Sequence, residues 1–183
     1  MSAPGKEDEN EDVFFRDMAE CVSTNQEAGP ALVWPRNADR MLERLRTEHD
    51  RTLEGGTGPH GLTGRREEEP ARPLARLMAY RLRTLLGVSA VRADVRDLVA
   101  GQASGHLPAD ADTLLVMLRG ALECSVGPAS ADTPERHLPL TLRMRVGEVL
   151  YVPRAYPFSL TAGRAAATVL QLGLVRSAPR PAL

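Results

Sequence analysis

Gly147-Glu-Val-Leu-Tyr-Val-Pro-Arg-Ala-Tyr-Pro-Phe158-Ser-Leu-Thr-Ala162 is the stretch on which the fold turns. Gly147 punctuates the chain, Val149–Val152 forms a short apolar strand, and Pro153, which cannot donate to a strand ladder, stops it. Just upstream, Leu138, Leu140, Leu142 and Met144 alternate with Pro139, Thr141, Arg143 and Arg145. That is the period-two signature of a half-buried strand. Thr113–Arg119 and Ala121–Val126 flank Gly120 as two strands joined by a tight connection, and Ala166–Leu174 is a final, mostly apolar strand. From residue 90 onward the chain therefore holds several short strands at turn-punctuated spacing. An antiparallel barrel or sandwich follows.

The N-terminal half has a different pattern. Residues 1–11 carry Glu7, Asp8, Glu9 and Glu11 with almost nothing apolar, so disorder is expected there. Asp12 can cap a short helix with Phe14, Met18, Cys21 and Val22 on one face, and Ala31–Trp34, inside residues 30–35, has strand character. Asn37 can cap a second helix striped by Met41, Leu42 and Leu45. Residues 50–73 collect Gly55, Gly56, Gly58, Gly61 and Gly64 and read as a flexible loop; no Gly-Lys-Ser/Thr ending suggests phosphate binding. Leu74, Leu77, Met78, Leu82, Leu85 and Leu86 then share one helix face, which Gly87 ends. The expected organisation is a tail over 1–11, a helical region over 12–87, a barrel over 88–175 and a C-terminal tail over 176–183.

Composition narrows the function. With 23 basic and 24 acidic side chains among 183 residues, the formal charge is −1, which argues against nucleic acid as a partner. No apolar run approaches the length of a membrane span and no apolar signal core opens the chain, so no membrane association and a cytoplasmic location are expected. Cys21 and Cys124 have no nearby Cys or His partner and read as buried thiols. Neither a Gly-x-Ser-x-Gly elbow nor a Cys/His pairing supports nucleophilic catalysis.

The quoted stretch resembles the second conserved motif of the cupins (Gly, five residues, Pro, one, Gly, two, His, three, Asn), here Gly147, Pro153, Ala155, Phe158 and Ala162. The first motif (Gly, five, His, one, His, three or four, Glu, six, Gly) is matched in outline by Gly101, His106, Pro108, Thr113 and Gly120. Leu-Tyr-Val-Pro-Arg, Ser-Leu-Thr-Ala-Gly, Leu-Gln-Leu-Gly-Leu and the helix-ending Leu85-Leu86-Gly87 resemble the Jumonji-C-like cupins of the ribosomal-oxygenase type. The resemblance implies a mainly β fold with N-terminal helices, a double-stranded β-helix or jelly-roll barrel.

It also implies chemistry that the residues do not supply. Members of that family hold Fe(II) with a His-x-Asp/Glu pair and a later His, beside 2-oxoglutarate. Those positions fall on Leu107, Ala109 and Phe158, none of which binds a metal; in the general cupin register His106 alone remains, beside Pro108, Thr113 and Phe158. The expectation is a pseudoenzyme with no catalytic residue and no cofactor, acting as a binding or regulatory partner of another protein or of a second copy. Two alternatives stay open. One is an oxygenase with ligands relocated to His106, Asp110 and Asp112, with His137, just before a strand start, as a further candidate. The other is a metal-free cupin holding a small apolar or carboxylate ligand, with His106, Thr113, Arg119 and Phe158 as pocket candidates. In that case Arg119 either turns into the barrel near one mouth or sits at the strand end in water.

Overall fold

Helix α1 (Gly5–Asn25) begins well inside the acidic segment expected to be disordered. A computed structural model of the chain describes residues 5–55, 73–107, 110–127 and 139–176. The acidic run of the sequence thus falls within the first turns of a helix. The helix is anchored further along, where Phe14, Phe15, Met18 and Val22 are buried and the two phenylalanine rings meet edge to face.

Strand β1 (Ala31–Val33) follows, then α2 (Ala38–Gly55) and α3 (Pro73–Leu86). The buried stripe Met41, Leu42 and Leu45 lies on α2 as its spacing predicts. The loop expected over 50–73 starts later, because α2 continues to Gly55; the glycines from Gly56 to Gly64 lie outside the described residues. On α3, Leu74, Met78 and Leu82 are buried, but Leu85 is 52% exposed and turned away from the sheet. No helix among the described residues is long and apolar enough to cross a membrane.

The rest is β: β2 (Ala90–Leu98), β3 (Asp112–Arg119), β4 (Ala121–Val126), β5 (Leu140–Arg145), β6 (Val149–Val152), β7 (Phe158–Ala162) and β8 (Ala167–Val175). They form two antiparallel sheets, in the orders β1-β6-β3-β8-β2 and β5-β4-β7. Residues 103 and 107 add two isolated bridges to β7, at Thr161 and Phe158, which extends the smaller sheet by one irregular strand. Counting that segment, consecutive strands from β2 onward alternate between the sheets except at the β4–β5 connection, where both belong to the smaller sheet. Strand β7, with Phe158, Leu160 and Ala162 buried, was legible only as part of the motif.

Alternation along the strands builds two cores. Leu114, Val116, Val149, Tyr151, Leu170, Leu172 and Leu174 face outward from the larger sheet and pack beneath the three helices. Leu115, Met117, Leu122, Cys124, Met144, Leu150, Phe158, Leu160 and Val169 fill the space between the sheets. Ion pairs tie the helical layer down. The Asp17 carboxylate of α1 accepts from the backbone N–H of Arg36 at 2.8 Å and from its guanidinium at 2.7 Å, which holds Asp17 below the usual carboxylate range. His49 of α2, almost fully buried, shares the Asp97 carboxylate at 3.0 Å with the hydroxyl of Thr168.

Candidate functional site

Four turns frame the barrel, and each contains a left-handed residue: Gly101 (φ 73°), Gly120 (φ 70°), Gly147 (φ 93°) and Ala155 (φ 74°). These are the four framework positions given by the two motifs. At Gly147 the absent side chain lets the indole of Trp34 lie against the backbone; an added Cβ would sit 3.1 Å from its Nε1. At the fourth position alanine replaces the motif's glycine, in a conformation that an L-residue adopts at a cost of about 1–2 kcal/mol. Ala155→Gly is therefore expected to stabilise the fold by about 0.5–1 kcal/mol, after the extra freedom of glycine in the unfolded chain is subtracted. Urea denaturation would check this, and an unchanged or lower midpoint would contradict it.

At one mouth of the barrel, the backbone of Leu107 and that of Phe158 exchange hydrogen bonds. The Leu107 N–H donates to the Phe158 carbonyl at 2.7 Å, and the Phe158 N–H donates back at 3.2 Å. Two positions far apart in sequence thus become direct cross-strand neighbours. Phe158 is 1% exposed within the barrel core, and Leu107 packs against the same cluster. Neither side chain offers a lone pair to a metal ion. Ala109 and Pro108 lie outside the described residues, as do His137 and Leu138.

The polar candidates are dispersed. His106 and Asp110 are exposed. Asp112 is buried and already engaged: its carboxylate accepts from the Arg154 N–H at 2.8 Å and pairs with Arg176 at 3.0 Å, on the helix side of the sheet. Among the described residues, no group of three or more His, Cys, Asp or Glu side chains could hold a metal ion. Thr113 is buried on the inner face, and its hydroxyl donates to the Ala111 carbonyl at 3.1 Å.

Arg119 does not enter the barrel and stands half exposed at the strand end, the second course set out for it. The register of β3 against β8 shifts between Met117 and Arg119, which breaks the alternation, and the guanidinium pairs with Asp50 of α2. Sequence reasoning also passed over the arginines of β2. There Arg92, Asp94 and Arg96 alternate with Val91, Ala93 and Val95, which pack toward the helices, and the row ends at buried Leu98. Arg92 and Asp94 are exposed on the sheet edge.

The remaining reactive groups are held inert by burial. The Cys124 thiol, mid-strand in the barrel core, is pushed up to about 12. Burial first, and then the nearby Asp112 charge, raises the Tyr151 phenol well above its ordinary value, and its hydroxyl has no hydrogen-bond partner among the described residues. Glu148 is nearly buried and caps the turn, accepting from the Arg145 N–H at 2.7 Å.

No family model and no curated protein sequence matches this chain. Solved structures do. A prolyl-4-hydroxylase from Pseudomonas putida is similar over 88% of this chain and 95% of its own, with 13% identity and a TM-score of 0.58. A cupin superfamily protein from Desulfitobacterium hafniense matches 46% of this chain and 67% of its own, at 18% identity and TM-score 0.38. A cupin domain from Schizosaccharomyces pombe matches 48% and 54%, at 21% identity and TM-score 0.39. At such identities a likeness describes architecture and leaves activity open. Two antiparallel sheets in this strand order, with helices on the larger one, make the chain a cupin-type double-stranded β-helix.

Proposed function

We propose that this protein is a non-catalytic, degenerate cupin of the Jumonji-C-like type, whose role is to bind a partner as a regulatory subunit. One observation carries the reading: Leu107 and Phe158, which the resemblance aligns with the two iron-binding histidines, meet as a cross-strand pair of hydrocarbon side chains. Residues that shape the turns persist while those that would hold the metal are replaced. The donor set does not fit Fe(II), because a facial triad needs two imidazoles and a carboxylate, and all three of its positions, Leu107, Ala109 and Phe158, carry hydrocarbon side chains. The relocated-ligand alternative fares no better. Asp112 faces the helices and is committed to Arg154 and Arg176, away from exposed His106.

Anaerobic loading with Fe(II), desalting and elemental analysis test this reading. Iron at background is the expected outcome, well below one ion per chain. Near-stoichiometric iron that survives desalting would overturn the proposal and restore the oxygenase alternative.

A further inference from the structure

The two edges of the larger sheet are built differently. The long edge, β2, exposes Arg92 and Asp94 along its length, charges that discourage the approach of a further strand. The short edge, β1, has no charged residue between Pro30 and Pro35 and pairs on one side only, with β6. Its other row of backbone groups has no strand partner among the described residues. Beside that row stand two exposed apolar side chains, Leu32 at 44% and Trp34 at 63%. The faces of β1 also differ. Ala31 and Val33 pack toward the helices, and with Glu20 and Thr24 of α1 they line a groove of about 270 Å³. Leu32 points to the opposite face, in register with Leu150. Charge sets what the groove can take. Glu11, Asp12 and Asp17 of α1 are each paired with an arginine, Arg44, Arg81 and Arg36 in turn. Glu20 is exposed and forms no ion pair among the described residues.

We propose that the β1 edge takes up an extended segment of a partner protein by strand addition, one in which basic and apolar side chains alternate. Successive side chains of an added strand point to opposite faces. Those on the helix side reach the free carboxylate of Glu20, and those on the other side cover Leu32 and Trp34. Trp34 is the anchor, because a large exposed indole loses the most water on contact. Pro35 ends β1 and keeps the new ladder short, so the side chains carry the specificity. The inference gives the partner-binding reading a surface and rests on that reading, independently of the metal positions.

A capped hexapeptide alternating arginine and valine serves as the probe, titrated into the full chain and followed by amide NMR. Its controls are a glutamate–valine peptide and two arginine–valine peptides, methylated on the arginine or on the valine backbone nitrogens. The probe is expected to move the Leu32, Val33 and Trp34 signals, and one of the two methylated peptides should bind about tenfold more weakly, the scale of the ladder hydrogen bonds lost. Trp34→Ala should cost about tenfold. Glu20→Gln, at an exposed helix position that leaves the fold intact, should cost about threefold, the scale of a surface ion pair, whereas Glu123→Gln on the smaller sheet should change nothing. Shifts confined to other residues, equal binding of the glutamate–valine peptide, full affinity of both methylated peptides, or full affinity in Trp34→Ala and Glu20→Gln would each overturn strand addition at β1. Leu32 signals that move with protein concentration alone would overturn it too, since a second copy would then hold the edge. Stoichiometric iron in the loading experiment, beside unchanged peptide binding, would overturn only the non-catalytic reading, so the two failures are told apart.

Discussion

Gly120→Ala is expected to abolish most of the stability of the barrel, with a loss of about 3 kcal/mol or more. Two costs combine at this position. The residue sits at φ 70°, where alanine pays about 1–2 kcal/mol. A Cβ there would also overlap the carbonyl oxygen of Ala166 and press on the Ala167 Cα at 3.2 Å. Both obstacles are backbone, at the start of β8, which cannot rotate aside as a flexible side chain would. Relief requires moving β8, which carries the ladders to both β2 and β3. Equilibrium urea unfolding and the far-ultraviolet signal of the variant would measure the loss. Gly163→Ala is the matched control, since a Cβ there meets nothing within 4 Å. A Gly120→Ala protein as stable as the control would refute this account of the turn.

Phe158→Ala should cost about 3–5 kcal/mol, the range for removing a fully buried aromatic ring. The ring is 1% exposed and fills the level of the barrel where Leu107, Val126 and Val152 converge. Phe158→Leu keeps most of the volume and should cost markedly less, about 1 kcal/mol. The pair separates packing from any polar role, because neither substitution adds or removes a hydrogen-bonding group. A fluorescent hydrophobic dye that binds the alanine variant but not the parent would report the opened cavity. Equal stability of the alanine variant and the parent would mean that the interior collapses around the gap.

The barrel was legible where alternation and punctuation agree. Thr113–Arg119 and Ala121–Val126 read as two strands joined tightly at Gly120, a residue that accepts a left-handed turn, and that connection carries the chain from the larger sheet to the smaller. Strand β2 was harder, since an edge strand with Arg92, Asp94 and Arg96 on one side and small Ala93 on the other carries a weak apolar signal. The same weakness hid the arginines of that edge. Arg119 was singled out instead, because simple alternation extends past Met117, whereas a register shift cannot be seen in a single sequence. The first turns of α1 were missed for a related reason: Phe14, Phe15 and Met18 supply the burial that holds the helix, and propensity in the acidic stretch alone cannot. The pairing of Leu107 with Phe158 was accessible only through the motif spacing, since nothing in local chemistry links a leucine to a phenylalanine so far along the chain.

The order in which strands meet also governs how the chain must come together in time. Ala31 waits for Tyr151, and Ala90 waits for Val175, so each edge of the larger sheet is closed by a segment made much later. During synthesis, β2 leaves the ribosome with its ladder partner still unmade, and neither sheet edge can be sealed by a neighbouring hairpin. Closing such long loops before any contact repays the entropy puts the protein among slow, non-local folders, on the order of milliseconds to seconds. Until β8 arrives, the nascent chain exposes Val91, Ala93 and Val95 beside the apolar stripe of α3, a surface for chaperones to shield.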